Sequence, residues 1–405
     1  MLANLQKFAF IRNMKNDYQY LCAKRATQAI FLVCGVALSS WAPMVPLVKQ
    51  RLGLNDADLG LLLLMLGLGA IVMMPISGYF SHRYGTRIVI LISGMVSAVF
   101  LPLLLILPDP LSMGVGLFIF GAGIGTIDVA MNSHGVHVQN GFEKPIMSSL
   151  HGLFSLGGLF GSLGLGILIK SGLNPNVAAL SISVLLGVIL VWNYNSLFNK
   201  QMEASQPEEQ GGAESFSISK VGSWLNPSVL FLGLACFSVF LSEGAMLDWS
   251  ALFLRESRQV SVEFAGLGYA SFSIAMAAMR LLGDNIVHKL NGKIVVVAGG
   301  FIAALGVLLV VSTPWLITAL LGFILLGIGA ANIVPVFFTA AGKLKGIPAS
   351  IAIPVITAMG YTGQLAGPAL LGYIAFHFSL SIALGFVGLL LFMVALGYLL
   401  KKTPK

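Results

Sequence analysis

The sequence predicts an all-α membrane protein, with twelve transmembrane helices arranged as two pseudo-symmetric six-helix bundles. Three observations carry that prediction: an apolar composition, twelve apolar runs of spanning length, and a self-match of the chain at one fixed offset. Of the 405 residues, 57% are hydrophobic and 9% charged, and the mean hydropathy is +0.92. A soluble domain needs a far more polar surface.

The elements follow in order. Residues 1–26 mix basic and aromatic side chains (Lys7, Arg12, Lys15, Lys24, Arg25) and lack a small-residue cleavage site, so they read as a cytoplasmic N-terminal segment and not as a removed signal. Residues 27–198 form the first bundle, with apolar runs near 27–48, 58–81, 87–107, 113–137, 146–169 and 175–198. A crossing takes roughly 20 residues, and a helix satisfies its own backbone in hydrocarbon. Residues 199–222, with Gln206, Pro207, Glu208, Glu209, Gln210, Gly211 and Gly212, have linker composition and too little apolar area to fold alone. Residues 223–400 form the second bundle, with runs near 227–253, 263–287, 294–312, 314–340, 348–376 and 379–400, and residues 401–405 are a cytoplasmic tail.

Charge sets the expected orientation, because Lys and Arg are retained on the cytoplasmic side during insertion. With both termini and the linker inside, the inner segments hold seventeen Lys and Arg. The outer loops hold five, Lys49, Arg51, Lys170, Arg255 and Arg258, and Arg280 alone lies within a span. The net charge of +8 is scattered singly between spans, which argues against a nucleic-acid partner. Cys22, Cys34 and Cys236 are too far apart in sequence to suggest a disulfide framework or a metal motif.

Sliding the chain over itself by 206 residues places Gly60, Gly94, Gly116, Gly121, Gly123, Gly157, Gly161 and Gly166 on glycines 266, 300, 322, 327, 329, 363, 367 and 372. The same offset sets His82 to Val89 over His288 to Val295. There Asn291 stands where the first copy has Gly85, as the other residue that tolerates a left-handed backbone. Six spans per copy give both copies the same topology, a parallel repeat of the kind used by one class of transporters.

With the repeat and the basic turns in place, the chain resembles the major facilitator superfamily. Gly78 to Arg87 is similar to that family's G-x-x-x-D-R-x-G-R-K loop at Gly78, Arg83, Gly85 and Arg87, and departs from it at His82, where the family has an acid. The resemblance implies that His82, Arg83 and Arg87 take part in gating the cytoplasmic side. Gly121 to Asn132, with Asp128-x-Ala130-x-Asn132, and His151-x-x-Phe154-x-x-Gly157 resemble the fucose-permease and YbjJ-like branch. The first span lacks the acid of fucose permease, so a fucose-like solute is not implied.

An ionisable side chain inside a bundle is costly unless paired, hydrated or neutralised, so each one is a candidate site. Asp128, near the middle of the fourth span, is the first candidate for proton coupling, against a static hydrogen bond to a neighbouring helix. Asn132, one turn on, would bind solute or orient the acid. His151 would relay protons or contact solute, against simple packing, while His134 and His137 read as interfacial. In the seventh span Glu243 is a second coupling candidate and Asp248 is expected to be hydrated near the outer surface. Trp249 reads as a residue of the interfacial aromatic belt, with a stacking role toward solute as the alternative. Arg280 and Asp284, one turn apart, can pair as a gate. Asn332 and Gln364 are neutral amides suited to a polar, uncharged solute. The glycines of the fifth and eleventh spans allow close helix contact, and Pro335, Pro354 and Pro368 are expected to bend the tenth and eleventh.

No phosphate-binding loop and no HExxH, CxxC or GxSxG pattern occurs. The expectation is a non-enzymatic secondary transporter, without cofactor or metal, a monomer in a bacterial inner membrane. It would move a small polar solute such as a sugar by alternating access, coupled to protons through Asp128. Efflux of amphipathic compounds, which the many Met and Phe residues would allow, and a receptor or scaffold without transport are the alternatives.

Overall fold

The structure, a computed structural model, describes residues 2–139, 141–142, 146–204, 226–341, 344, 347 and 349–401. Most of the linker expected at 199–222 and of the tail at 401–405 lies outside the described residues. The first half runs α1 (Leu2–Ser39), a 3-10 turn, α2 (Val45–Leu52), α3 (Asp56–Tyr84), α4 (Thr86–Leu103), α5 (Pro110–Gln139), α6 (Met147–Lys170) and α7 (Pro175–Tyr194), followed by the short α8 (Lys200–Ala204). The second half runs α9 (Pro227–Arg258), α10 (Leu267–Leu281), α11 (Gly283–Leu290), α12 (Gly292–Ser312), α13 (Leu316–Ala330), α14 (Ile333–Ala341), α15 (Ala349–His377) and α16 (Leu380–Leu400).

Eleven spans among the described residues are long and apolar enough to cross a membrane. The 29-residue α15 stands between the tenth and the last of them and makes twelve. The pairs α1 with α2 and α13 with α14 each form one span, and α11 follows α10 after a break at Leu282. Local chemistry starts several of these helices. The side chains of Asn55, Asn174, Asn226 and Ser379 accept the backbone N–H of Asp58, Asn176, Ser228 and Ile382, and Pro175 and Pro227 open their helices where no N–H is needed.

Successive spans alternate in direction. One end of the bundle, the linker face, carries the ends of α3, α7 and α16 and the start of α9, and the other end is the distal face. Within the first half α3 packs on α5 and α1 on α6, and within the second α9 packs on α15 and α12 on both α13 and α16. The halves meet along α3 with α15 and along α6 with α10.

The repeat read from the sequence is visible in this packing. A Cβ on Gly60 would lie 2.5 Å from the Pro368 carbonyl oxygen, and one on Gly372 would lie 2.5 Å from that of Asp56. Across the pseudo-axis Gly266 abuts the carbonyl of Ser162, and Gly166 that of Glu263. Both seams are backbone against backbone, which glycine alone permits. The turns after the second and eighth spans repeat too, with Gly85 at φ 88° and ψ 149° and Asn291 at φ 60° and ψ 158°. Asn291 also caps α12 by accepting the Ile294 N–H at 3.1 Å.

The proline bends come out differently from one another. The tenth span breaks at Ala331 and Asn332. Pro335 explains this, since its ring clashes with the carbonyl four residues back, that of Ala331, and it offers no N–H. The helix α15 runs without interruption through Pro354 and Pro368.

Candidate functional site

Between the halves lies a cavity of about 210 Å³. Its wall comes from α1 (Cys34, Leu38), α3 (Leu63 to Met74), α5 (Ile124, Gly125, Asp128) and α6 (Phe154) of the first half. The second half adds α9 (Gly244, Leu247, Asp248) and α15 (Tyr361, Gln364, Leu365, Pro368). Small residues let the helices close around it: Gly125 sits on the backbone of Ala70, and Gly121 on the carbonyl of Leu66.

Asp128 is on this wall, half-buried. Its Oδ1 accepts Nδ2 of Asn132 at 3.3 Å, and the same Nδ2 donates to the Asp128 carbonyl at 2.8 Å. Asn132 thus orients the acid from one turn away and does not line the cavity itself. Gln364 lines it. Asn332 does not: it is 5% exposed, and its Nδ2 donates to the Met279 carbonyl at 3.0 Å. That carbonyl faces the break between α10 and α11, so Asn332 satisfies an acceptor freed by the break. Asn332, expected among the solute-binding residues, is placed off the cavity wall and holds this carbonyl.

Helix α9 departs from expectation at three positions. It extends to Arg258, which leaves Asp248 about 15 Å inside the distal end at 1.5 Å per residue. Asp248 is therefore 6% exposed and on the cavity wall, not hydrated at the surface. It shares one helix face with Gly244 and Leu247, a spacing of three and four residues that could have revealed it. Trp249 is fully buried among helices, with no partner for its indole N–H among the described residues. It belongs neither to a lipid-facing belt nor to the cavity. Glu243 is not a free acid, because its Oε1 lies 2.8 Å from Nη2 of Arg280. The partner expected for Arg280, Asp284, has a side chain outside the described residues.

His151 is exposed, packs edge-on against Phe31 at 5.4 Å, and is not on the wall, although Phe154 one turn on is. At the linker face His82 is exposed, Arg83 donates to the Tyr79 hydroxyl at 2.8 Å, and Arg87 donates to Asn195 at 2.8 Å while lying 3.8 Å over the Tyr194 ring. No contact of these three with the second half is seen among the described residues.

Two polar clusters had no clear signal in the sequence. At the distal face Lys49 Nζ lies 2.6 Å from both Asp56 and Glu256, joining the halves. At the linker face Glu203 of α8 accepts the Thr86 backbone N–H at 3.2 Å and the Thr86 hydroxyl, which lies 2.7 Å from Nδ1 of the fully buried His134. Nε2 of His134 accepts the Phe198 N–H at 3.4 Å. Nδ1 therefore carries the ring proton of the neutral form. His134 is a core residue and not an interfacial one. Glu203 lies outside the spans. Burial alone would raise its pKa, but the hydrogen bonds from His134 and Thr86 outweigh that and hold it below the ordinary carboxylate range.

Two six-helix halves around a central cavity define a polytopic transporter of the secondary type. The chain belongs to the Major Facilitator Superfamily, whose profile matches residues 29–348. It is 43% identical over 370 residues to an uncharacterized MFS-type transporter of Yersinia pestis, covering 91% of this chain and 93% of that one. It is 32% identical over 370 residues to the membrane protein MosC of Rhizobium meliloti, covering 91% and 86%. Among solved structures, a variant of the nucleoside transporter NupG superposes with a TM-score of 0.74 at 13% identity, covering 93% of this chain and 99% of that one. A bacterial homolog of the human lysosomal transporter Spinster, inward-facing and unoccupied, gives 0.72 at 16%, covering 94% and 96%. The likeness to both structures is one of fold. The family is one of transporters and not of enzymes.

Proposed function

We propose that this protein carries a small polar solute across the bacterial inner membrane by alternating access, with proton binding at Asp128 biasing which side opens. The observation that supports this best is the position of Asp128: a carboxyl on the wall of a cavity lined by both halves, with an amide beside it and no cation there among the described residues. Such a group is costly unless its charge changes or is matched during the cycle. A group bound in one state and released in another can drive the exchange between them.

The linker face is the cytoplasmic one in this reading, since the basic segments gather there. Lys49 with Glu256, Gly60 with Pro368 and Gly266 with Ser162 join the halves toward the distal end, which supports an inward-facing arrangement. Arg83 and Arg87, docked on their own half, would close that side in the opposite state. The wall is largely apolar, with Gln364 the sole carboxamide among the lining residues, and this favours a second reading, the expulsion of amphipathic compounds.

Thermal-shift screening of the purified protein against a metabolite panel identifies the solute, because a bound solute stabilises the fold by mass action. In proteoliposomes Asp128→Asn should then abolish proton-coupled accumulation and leave binding or exchange. Unchanged pH-dependent uptake in that variant overturns the role given to Asp128.

A further inference from the structure

Asp248 is more than nine-tenths buried, lines the cavity, and has neither a hydrogen bond nor an ion pair among the described residues. That sets it apart from the other buried or partly buried acids described above. Asp128 has the Asn132 amide, Glu243 has Arg280, and Glu203 has Thr86. A lone carboxyl at this depth needs either a proton or a partner of opposite charge, and no Lys, Arg or His stands among the lining residues to supply the second. Asp128 faces the same space from the other half, so an anion entering the cavity would meet two acids and no base. A neutral polyol would find few polar groups besides the two acids, Gln364 and the Tyr361 hydroxyl, and aliphatic wall elsewhere. A cation with an apolar body would meet a carboxylate, the aromatic side chain of Tyr361 and an aliphatic wall.

We propose that the solute carries a positively charged nitrogen on a small apolar body, and that Asp248 is the residue that holds its charge. This rests on the reading of the cavity as the solute path, and names the class of solute within it. A cavity of about 210 Å³ has room for a single-ring ammonium compound.

The test uses the purified full chain and three probes of similar shape: benzyltrimethylammonium, its uncharged isostere neopentylbenzene, and benzenesulfonate. Calorimetric titration should show the ammonium binding at least tenfold more tightly than either of the others. Asp248→Asn, nearly isosteric, should lose at least tenfold in affinity for the ammonium with no change for neopentylbenzene. Melting temperatures of the variant and the parent protein establish that both are folded. Equal binding of the ammonium and its isostere, or ammonium binding unchanged by Asp248→Asn, overturns the proposal. Failure of the coupling reading shows elsewhere, as pH-dependent transport that survives Asp128→Asn, and so the two can fail separately.

Discussion

Asn332 and Asp248 are both buried polar side chains, and their partners make them opposites. Asn332 is satisfied by a carbonyl that a helix break leaves open, while Asp248 looks into a cavity with no partner for it among the described residues. Glu203 shows a third arrangement, a carboxylate outside the spans held by several donors at once. Because its pKa is depressed in the folded state, the stability it contributes is present above the ordinary Glu value of about 4.3 and is lost as pH falls through the folded value. Protection of residues 200–204 against amide hydrogen exchange should therefore be level from pH 7 to about 4.5 and fall below that. In Glu203→Gln that protection should already be reduced at pH 7, and equal protection in the two proteins would remove Glu203 as the group that docks α8.

At the scale of the element, the glycines of α3, α6, α10 and α15 set how closely the halves approach. A side chain at Gly60 would press on the Pro368 carbonyl, and backbone cannot move aside as a flexible side chain can. Gly78, on the same helix, has nothing within 4 Å of the place a Cβ would take. Gly60→Leu should therefore destabilise the protein by about 1–3 kcal/mol, the usual range for overpacking. Gly78→Leu should be near neutral, and thermal unfolding of both variants compares them directly. Equal melting temperatures would mean that the α3 and α15 seam is looser than its geometry indicates. The broken spans show the same dependence on backbone. Pro335 stops α13 at Ala331, and the open carbonyl of Met279 beside it is met by Asn332.

For the whole molecule, the question is what holds one face shut. Lys49 bridges Asp56 of its own half and Glu256 of the other, so opening of the distal face must separate Lys49 from Glu256. The pair is partly exposed, and such pairs contribute up to about 1 kcal/mol. That is enough to shift a two-state equilibrium severalfold. Cys34 on the cavity wall is a native reporter, once Cys22 and Cys236 are replaced by alanine. Lys49→Met should raise its labelling by a membrane-impermeant thiol reagent from the distal face severalfold, while Arg83→Ala, at the other face, should not. Identical labelling rates would show that the glycine seams alone keep the distal side closed.

Much of this architecture is legible in the residues without coordinates. Hydropathy counts the spans because each must bury about 20 apolar residues in hydrocarbon, whatever lies beside it. The 206-residue repeat reappears as paired glycine seams, and Asn291 takes a positive φ where the other copy has Gly85, because backbone sterics are local. Asp128 and its one-turn neighbour Asn132 meet because helical spacing alone brings them together. What only the tertiary structure decided is which side of each helix faces cavity, neighbour or lipid. Trp249 turned inward, Asp248 turned to the cavity, and Arg280 met Glu243 on another helix. Those outcomes depend on how far each helix extends and how it is rotated against partners tens or hundreds of residues away, and no local pattern in the chain carries that information.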